Sequence, residues 1–345
     1  MKQFTVEQHE DGVKLLKWVG THLPYIKRGT LEKAIRKGWI KVDKKKPKTD
    51  QVLDGGQIVS LAEYLCDPEL HPSLPSTETG TVNKNHQKRF RDMVIFENDE
   101  LIAINKPAGL AVQGGSKQKV SVDSIAQSIA TDAMRPRLVH RLDKDTSGVL
   151  VMAKTAKSAT RLTKLFASKE IEKKYTALLV GVPKVPKGRI DLPMIKSLKD
   201  GHTNMEDVKV DLEEGKDAVT LYEVTHAAAQ KYAWVDLYPI TGRTHQLRVH
   251  MTAIHHPIVG DGKYGGTKAF QAGDNLAKKL HLHAASITIP VEAKDKEEER
   301  ANRERSKRRM AGEKARDIGG ETIVIEAPLP PHMQKSWDWL GSGDA

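Results

Sequence analysis

Leu138-Val139-His140-Arg141-Leu142-Asp143-Lys144-Asp145-Thr146-Ser147-Gly148 runs straight into Val149-Leu150-Val151-Met152-Ala153. The second half is an unbroken apolar run of strand length, the pattern of a strand buried on both faces. The first half sets Asp, Thr, Ser and Gly in a row, which makes a turn. Taken alone, these residues read as structural. A second reading stays open beside it. A carboxylate between Arg141 and an apolar strand is partly desolvated, and it stays ionised only with a cation or hydrogen-bond donors close by. Such a group can serve as a nucleophile.

Working outward, Val94-Ile95-Phe96 and Leu101-Ile102-Ala103-Ile104 flank Glu97-Asn98-Asp99-Glu100 and predict a hairpin. Ser121 is placed to cap a helix through Ile125 and Ile129. After the central run come a helix with Leu162, Leu165 and Phe166 inward and a strand over Tyr175–Val180. Strands over 219–225 and 233–239 follow, and then a helix after Gly242 that buries Leu247, Met251 and Ile254. Toward the N-terminus, Val13, Leu15, Leu16, Trp18 and Val19 have helical spacing, as do Leu31, Ala34 and Ile35, with Gly38 placed to end the second helix. Trp39–Val42 and Gln57–Leu61 read as paired strands. Residues 66–90, rich in Pro, Ser, Thr and Gly, read as a linker. Residues 292–322 hold ten basic and nine acidic side chains with i,i+4 pairs such as Glu299–Arg303, the mark of an exposed helical insertion.

Composition narrows the function. The chain has 345 residues, 38% hydrophobic and 29% charged, with a net charge of +11, which favours a polyanionic partner. Ten Lys/Arg against two acids lie between Pro24 and Thr49. The single cysteine, Cys66, excludes an intramolecular disulfide and a cysteine zinc cage, and it fits a reducing compartment. No stretch approaches the roughly 18 apolar residues needed to span a bilayer. The acidic N-terminus reads neither as a secretory signal nor as a transit peptide, so the expectation is a cytoplasmic protein with no membrane partner. His281-x-His283, His245 and His250 could suggest a zinc hydrolase, but their spacing lacks the helical pair such a site needs, and they read as structural histidines.

At His140–Gly148 the sequence resembles the RluA-type RNA pseudouridine synthases, whose signature looks like His-Arg-Leu-Asp-Lys-Asp-Thr-Ser-Gly. Further motifs agree in the same order: Asn105-Lys106-Pro107-Ala108-Gly109, Glu172-Lys173-Lys174-Tyr175-Thr176-Ala177, and Pro239–His250 with His255–Asp261 behind it. Leu280-His281-Leu282-His283-Ala284 is similar to the family's closing strand. The segment Tyr25–Val42 resembles the S4 RNA-binding module, and the domain order is that of the larger RluC/RluD kind.

The resemblance implies an α+β protein. An S4-like head over 1–65 and a linker over 66–90 precede a catalytic domain over 91–345, built on a mixed, mostly antiparallel sheet with flanking helices. It implies site-specific conversion of uridine to pseudouridine in large-subunit ribosomal RNA without metal or cofactor; a monomer is expected. Asp143 would be the catalytic aspartate and Tyr175 would stack on the uracil. Arg248 would pair with Asp143, and Arg141 would fill the space left by the flipped-out base. RNA contact is expected of His140, Arg243 and His245, and in the head of Lys27, Arg28, Arg36, Lys37 and Lys41. Alternatives are the same chemistry on transfer or mitochondrial RNA, or a non-catalytic RNA-binding or ribosome-assembly protein.

Overall fold

The computed structural model describes residues 1–23, 26, 28–67, 82–114, 120–131, 134–198, 206–228, 230–270, 276–291, 300–301, 304, 307–308 and 321–341. The chain separates into two compact units. One comprises residues 1–102, 111–140 and 151–164, and the other residues 103–110, 141–150 and 165–345.

The first unit begins with β1 (Lys2–Thr5), α1 (Leu15–His22), α2 (Arg28–Arg36), β2 (Ile40–Val42) and β3 (Ile58–Leu61). Strand β3 lies between β1 and β2, antiparallel to both. Of the apolar positions read as helical, Leu15, Trp18, Val19, Leu31, Ala34 and Ile35 are buried in one cluster with Ile40, Val59 and Leu61, while Val13 and Leu16 pack against it half-buried. Gly38 has φ +73°, which ends α2 as its position predicts. Strand β1 was not among the expected elements. Its pattern is mostly exposed, so hydrophobic periodicity offers no signal for it.

The linker expectation needs correction at both ends. A short 3-10 turn covers Glu63–Cys66, and α3 occupies Lys84–Asp92. Asn83 caps α3 by accepting from the His86 N–H at 3.1 Å, and Phe90 is fully buried. One cap and one apolar anchor suffice for a nine-residue helix that composition alone hides. Residues 68–81 lie outside the described residues.

The chain continues with β4 (Val94–Glu97), β5 (Leu101–Lys106), α4 (Val122–Ser128), β6 (Arg137–Leu138), β7 (Ser147–Ala153) and α5 (Ala156–Ala167). The 94–104 hairpin is present as β4–β5. Ser121 caps α4, accepting from the Ser124 N–H at 3.2 Å. Every residue of β7 is buried, as its unbroken apolar run predicts.

The second unit adds β8 (Glu172–Val180), β9 (Lys187–Asp191), β10 (Met194–Leu198), β11 (Glu206–Val210), β12 (Val219–Ala228), β13 (Tyr232–Pro239), α6 (Gln246–Ala253), β14 (Leu282–Pro290), β15 (Thr322–Glu326) and α7 (Pro331–Gly341). Its sheet runs β5–β7–β14–β8–β13–β12–β9, with β15 beside β14. Strands β7 and β14 are parallel, pairing Ser147 with His283 and Gly148 with Ala284, while β8, β12 and β13 pair antiparallel. The architecture is a mixed α+β one. Gly148 has φ +109°, and a β-carbon there would collide with the Ala284 backbone, so only glycine lets β7 and β14 approach.

Strands β14 and β15 pair antiparallel from Ser286–Glu326 to Pro290–Thr322, so the charged segment leaves and returns between neighbours. Of that segment, residues 300–301, 304 and 307–308 are helical, Thr322 already belongs to β15, and residues 292–299, 302–303, 305–306 and 309–320 lie outside the described residues. No helix among the described residues is long and apolar enough to cross a membrane.

Candidate active site

Asp143 sits in the loop entering β7. Leu142 before it is buried, and the Thr146 N–H donates to the Asp143 carbonyl at 3.2 Å, closing the turn read from the sequence. Ser147 then bonds His283 Nδ1 at 2.9 Å, and His283 Nε2 lies 3.1 Å from the Ala327 carbonyl. From below, Lys106 ties the loop to the Asn105–Gly109 turn. Its buried ammonium donates to the carbonyls of Pro107 (3.0 Å), Leu110 (2.9 Å) and Lys144 (2.9 Å). The Gly109 N–H also reaches Lys144 O at 2.9 Å. Burial pushes Lys106 down to about 8, against the opposing pull of Asp145 and Asp143. The Asp143 side chain itself remains 23% exposed.

Tyr175 lies on β8, opposite Leu237 of β13 and Ala284 of β14. Its ring packs on the apolar cluster that includes Leu237, Leu247 and Leu282. Burial, and then the negative charge of Asp143, hold its hydroxyl well above the usual phenol range. A neutral aromatic ring and the Asp143 anion therefore lie within electrostatic reach of each other.

Helix α6 supplies the next groups, and Gln246 fixes where it starts. Its Oε1 accepts from Thr241 Oγ1 (2.7 Å) and the Arg243 N–H (3.0 Å), and its Nε2 donates to Val219 O (2.9 Å) and Thr220 Oγ1 (3.0 Å). This buried amide staples the turn before α6 to β12, and the turn in turn holds His245 at φ +54°. A left-handed histidine costs of order 1 kcal/mol, a strain that persists only where surrounding contacts dictate it. His245 Nε2 lies 3.7 Å from Asp143 Oδ2, and Nδ1 lies 2.6 Å from the Tyr264 hydroxyl. Burial lowers the His245 pKa; the Asp143 charge opposes this, and Arg248 and Lys263 add to the lowering, so the ring is neutral near pH 7.

The expected Arg248–Asp143 pair is corrected here. Arg248 Nε and Nη2 donate to Asp261 Oδ2 and Oδ1 at 2.8 and 2.7 Å, a two-pronged pair with a fully buried carboxylate. Asp261 Oδ1 also accepts from the Lys263 and Tyr264 N–H groups, each at 3.2 Å. The reason is burial. An unpaired carboxylate at that depth is strongly unfavourable, so it takes the guanidinium fork. Burial opposes the charge on Arg248, but its bonds to Asp261 outweigh that, and Asp143 adds at longer range, holding it above its ordinary value. Among the described residues, His245 is the group in ion-pair range of Asp143.

Arg141 is exposed on the Asp143 loop. His140 turns inward, its Nε2 accepting the Val151 N–H at 2.9 Å. Arg243 is exposed, with Nε on the Asp217 carbonyl at 3.0 Å. In the head, Lys27 lies outside the described residues, as does the Arg28 side chain. Arg36 and Lys37 are exposed, with Lys37 Nζ 4.5 Å above the Trp39 ring, and Lys41 is half-buried on β2. His250 lies 3.0 Å from Thr220 Oγ1 and 3.1 Å from Leu192 O, and His281 lies 2.7 Å from Lys279 O and 2.8 Å from Ser336 Oγ. Both nitrogens of each ring thus meet protein atoms, the structural role read from their spacing. Reasoning from sequence placed Asp261 and Lys106 in motifs without giving either a role, and it missed Tyr264. The available signal was an acid directly after a glycine, Gly260-Asp261, closing the apolar run Pro257–Val259.

Together these residues give a part-exposed carboxylate in electrostatic reach of an aromatic side chain, a neutral imidazole and a buried guanidinium. Residues 100–253, which hold Asp143, Tyr175 and Arg248, match the family described as RNA pseudouridylate synthase. The chain is 35% identical over 286 residues to the ribosomal large subunit pseudouridine synthase C of Rickettsia bellii, covering 82% of this chain and 92% of that protein. It is 31% identical over 284 residues to the protein of the same name from Vibrio vulnificus, with 82% and 86% coverage. Among solved structures, human RNA pseudouridylate synthase domain containing 4 superposes with a TM-score of 0.54 at 25% identity, over 74% of this chain and 97% of that one. Sequence kinship over most of the chain and a shared fold agree, and the chain belongs to the RNA pseudouridine synthase family.

Proposed function

We propose that this enzyme isomerises specific uridines in large-subunit ribosomal RNA, with Asp143 as its catalytic aspartate. The observation that carries this reading is Asp143 itself: a carboxylate pinned through its backbone, part-exposed at its tip, with the Tyr175 ring and the His245 imidazole in electrostatic reach. The names of the relatives from Rickettsia bellii and Vibrio vulnificus support the ribosomal target.

The reaction breaks the N1–C1′ bond, turns the uracil and joins C5 to C1′; C5 loses a proton and N1 gains one. No electrons leave the substrate, so the balance calls for no redox cofactor. Uracil must first leave the base stack, at a cost of a few kcal/mol. Stacking on Tyr175, worth about 1–3 kcal/mol, offsets part of that, and Arg141 fills the vacated space. The S4-like head, with Arg36, Lys37 and Lys41, holds phosphates. A cytoplasmic monomer acting on ribosomal RNA completes the reading.

Asp143→Asn tests it. Pseudouridine formation in ribosomal RNA should be lost while RNA affinity stays within a few-fold, because the basic surface is unchanged. Normal turnover by that variant would reject Asp143 as the catalytic group. Mapping pseudouridines in ribosomal RNA from cells with and without the gene tests the target, and an unchanged ribosomal map would reject it.

A further inference from the structure

We propose that His245, steered by Tyr264, is a positioning residue for Asp143, beside an Arg248 guanidinium whose Nε and Nη2 are held by Asp261. The proposal rests on the reading of Asp143 as the catalytic aspartate. Three observations carry it. Arg248 spends its Nε and Nη2 donors on Asp261. His245 Nε2 faces Asp143 Oδ2 at 3.7 Å. The opposite ring nitrogen, Nδ1, meets the Tyr264 hydroxyl at 2.6 Å.

The tautomer follows from electrostatics. The imidazole is neutral, so one nitrogen carries hydrogen and the other a lone pair. A lone pair at Nε2 would face the Asp143 anion and repel it. With hydrogen on Nε2, the ring points a donor at the carboxylate, and the Tyr264 O–H donates to the lone pair on Nδ1. A second hydrogen bond that sets which nitrogen is protonated is the usual way a histidine is tuned. Tyr264 suits the task. The Arg248 guanidinium lies 5.0 Å and the Lys263 ammonium 5.1 Å from its ring centroid, and positive charge against the ring strengthens its hydroxyl as a donor. The Tyr264 N–H is itself anchored on Asp261. Asp261 thus fixes Arg248 directly and His245 through Tyr264.

The gap of 3.7 Å exceeds a formed N–H···O bond, which ends near about 3.2 Å. In the free enzyme the contact is a charge–dipole one. It shortens when a uridine enters and displaces water, as such bonds commonly do on substrate binding.

The experiment is single-turnover isomerisation of a uridine-containing ribosomal RNA fragment by the full chain. RNA affinity is measured separately, for His245→Ala, His245→Gln, Tyr264→Phe and the Ala/Phe double variant. His245→Ala should slow the chemical step about 100-fold, the loss typical of a misaimed reacting group, with RNA affinity within about threefold. His245→Gln, whose amide can donate to Asp143, should recover about tenfold of that loss. Tyr264→Phe keeps the ring over Arg248 and should slow the step about tenfold, and the double variant should be no slower than His245→Ala alone, because the tyrosine acts through the histidine. Independent, multiplying effects, no rescue by glutamine, or a loss in RNA affinity with an unchanged chemical step would each overturn the proposal. Asp143→Asn is run alongside: activity there defeats the catalytic assignment, whereas an inactive Asn variant beside a fully active His245→Ala defeats this inference alone.

Discussion

Lys106 shows how a single side chain can be buried with its charge. It is fully buried, and three carbonyl oxygens surround its ammonium. Burial lowers its pKa from 10.5 to about 8, so the folded protein releases this proton before the unfolded chain does. Below pH 8 both states are protonated, and the burial penalty, about 3 kcal/mol, is fully present. Between pH 8 and 10.5 stability contributed by this site rises, and above 10.5 the rise is complete. Urea midpoints of the native protein and of Lys106→Met across pH 7–10.5 check this: the native protein should gain relative to the variant as pH rises. Parallel curves would remove Lys106 as the source. The residue is legible in the sequence only as part of a motif, since its acceptor Lys144 lies 38 positions away.

At the scale of elements, the join between α7 and the start of β14 is set to be acid-labile. His281, just before β14, lies 2.8 Å from Ser336 Oγ of α7, and His332 of α7 reaches back to Leu280 O at 3.2 Å. Burial holds His281 down to about 4, below its ordinary 6.5, so the folded protein keeps it neutral while the unfolded chain takes up a proton first. Its contribution is whole above pH 6.5 and is lost as pH falls to 4, to the extent of about 3 kcal/mol. His250, His283 and His332, also depressed first by burial, steepen the same acid limb. Chemical denaturation from pH 7 to 4 should therefore show a shallower decline for His281→Gln than for the native chain. An equal decline would assign the acid lability elsewhere. Helix α7 is the element whose partner the sequence hides, because Ser336 and His281 are 55 positions apart.

For the molecule as a whole, the net charge of +11 is a statement about partners, and the head tests it. Arg36 and Lys37 are exposed at the end of α2, and Lys41 is half-buried on β2. Replacing all three with alanine should weaken RNA binding and lower the slope of log affinity against log salt by roughly 0.7–0.9 for each phosphate no longer neutralised. The chemical step at saturating RNA should be unchanged. A salt slope equal to that of the native protein would remove this face from RNA binding. The expected split at residue 65 and the two units found in the structure are different divisions, because β5 and β7 each contribute residues to both units.

By itself the sequence determined what depends on neighbours a few residues apart: the buried run of β7, the turn presenting Asp143, the Ser121 cap, the amphipathic faces of α1 and α2, and a run of motifs that carried the family resemblance. These are local because turn chemistry and hydrophobic period act over a few bonds. Strand β1 and helix α3 escaped it, since exposed strands and a singly anchored helix leave little periodicity. Only the tertiary structure decided which charges meet. Arg248 finds Asp261 thirteen positions on, and His245 finds Tyr264 nineteen positions on. The choice between two carboxylates for one guanidinium is made by burial: the fully enclosed Asp261 needs the fork, while the part-exposed Asp143 keeps access to solvent and an imidazole beside it. Burial is a property of how the sheet and α6 enclose a side chain, and no stretch of sequence contains it.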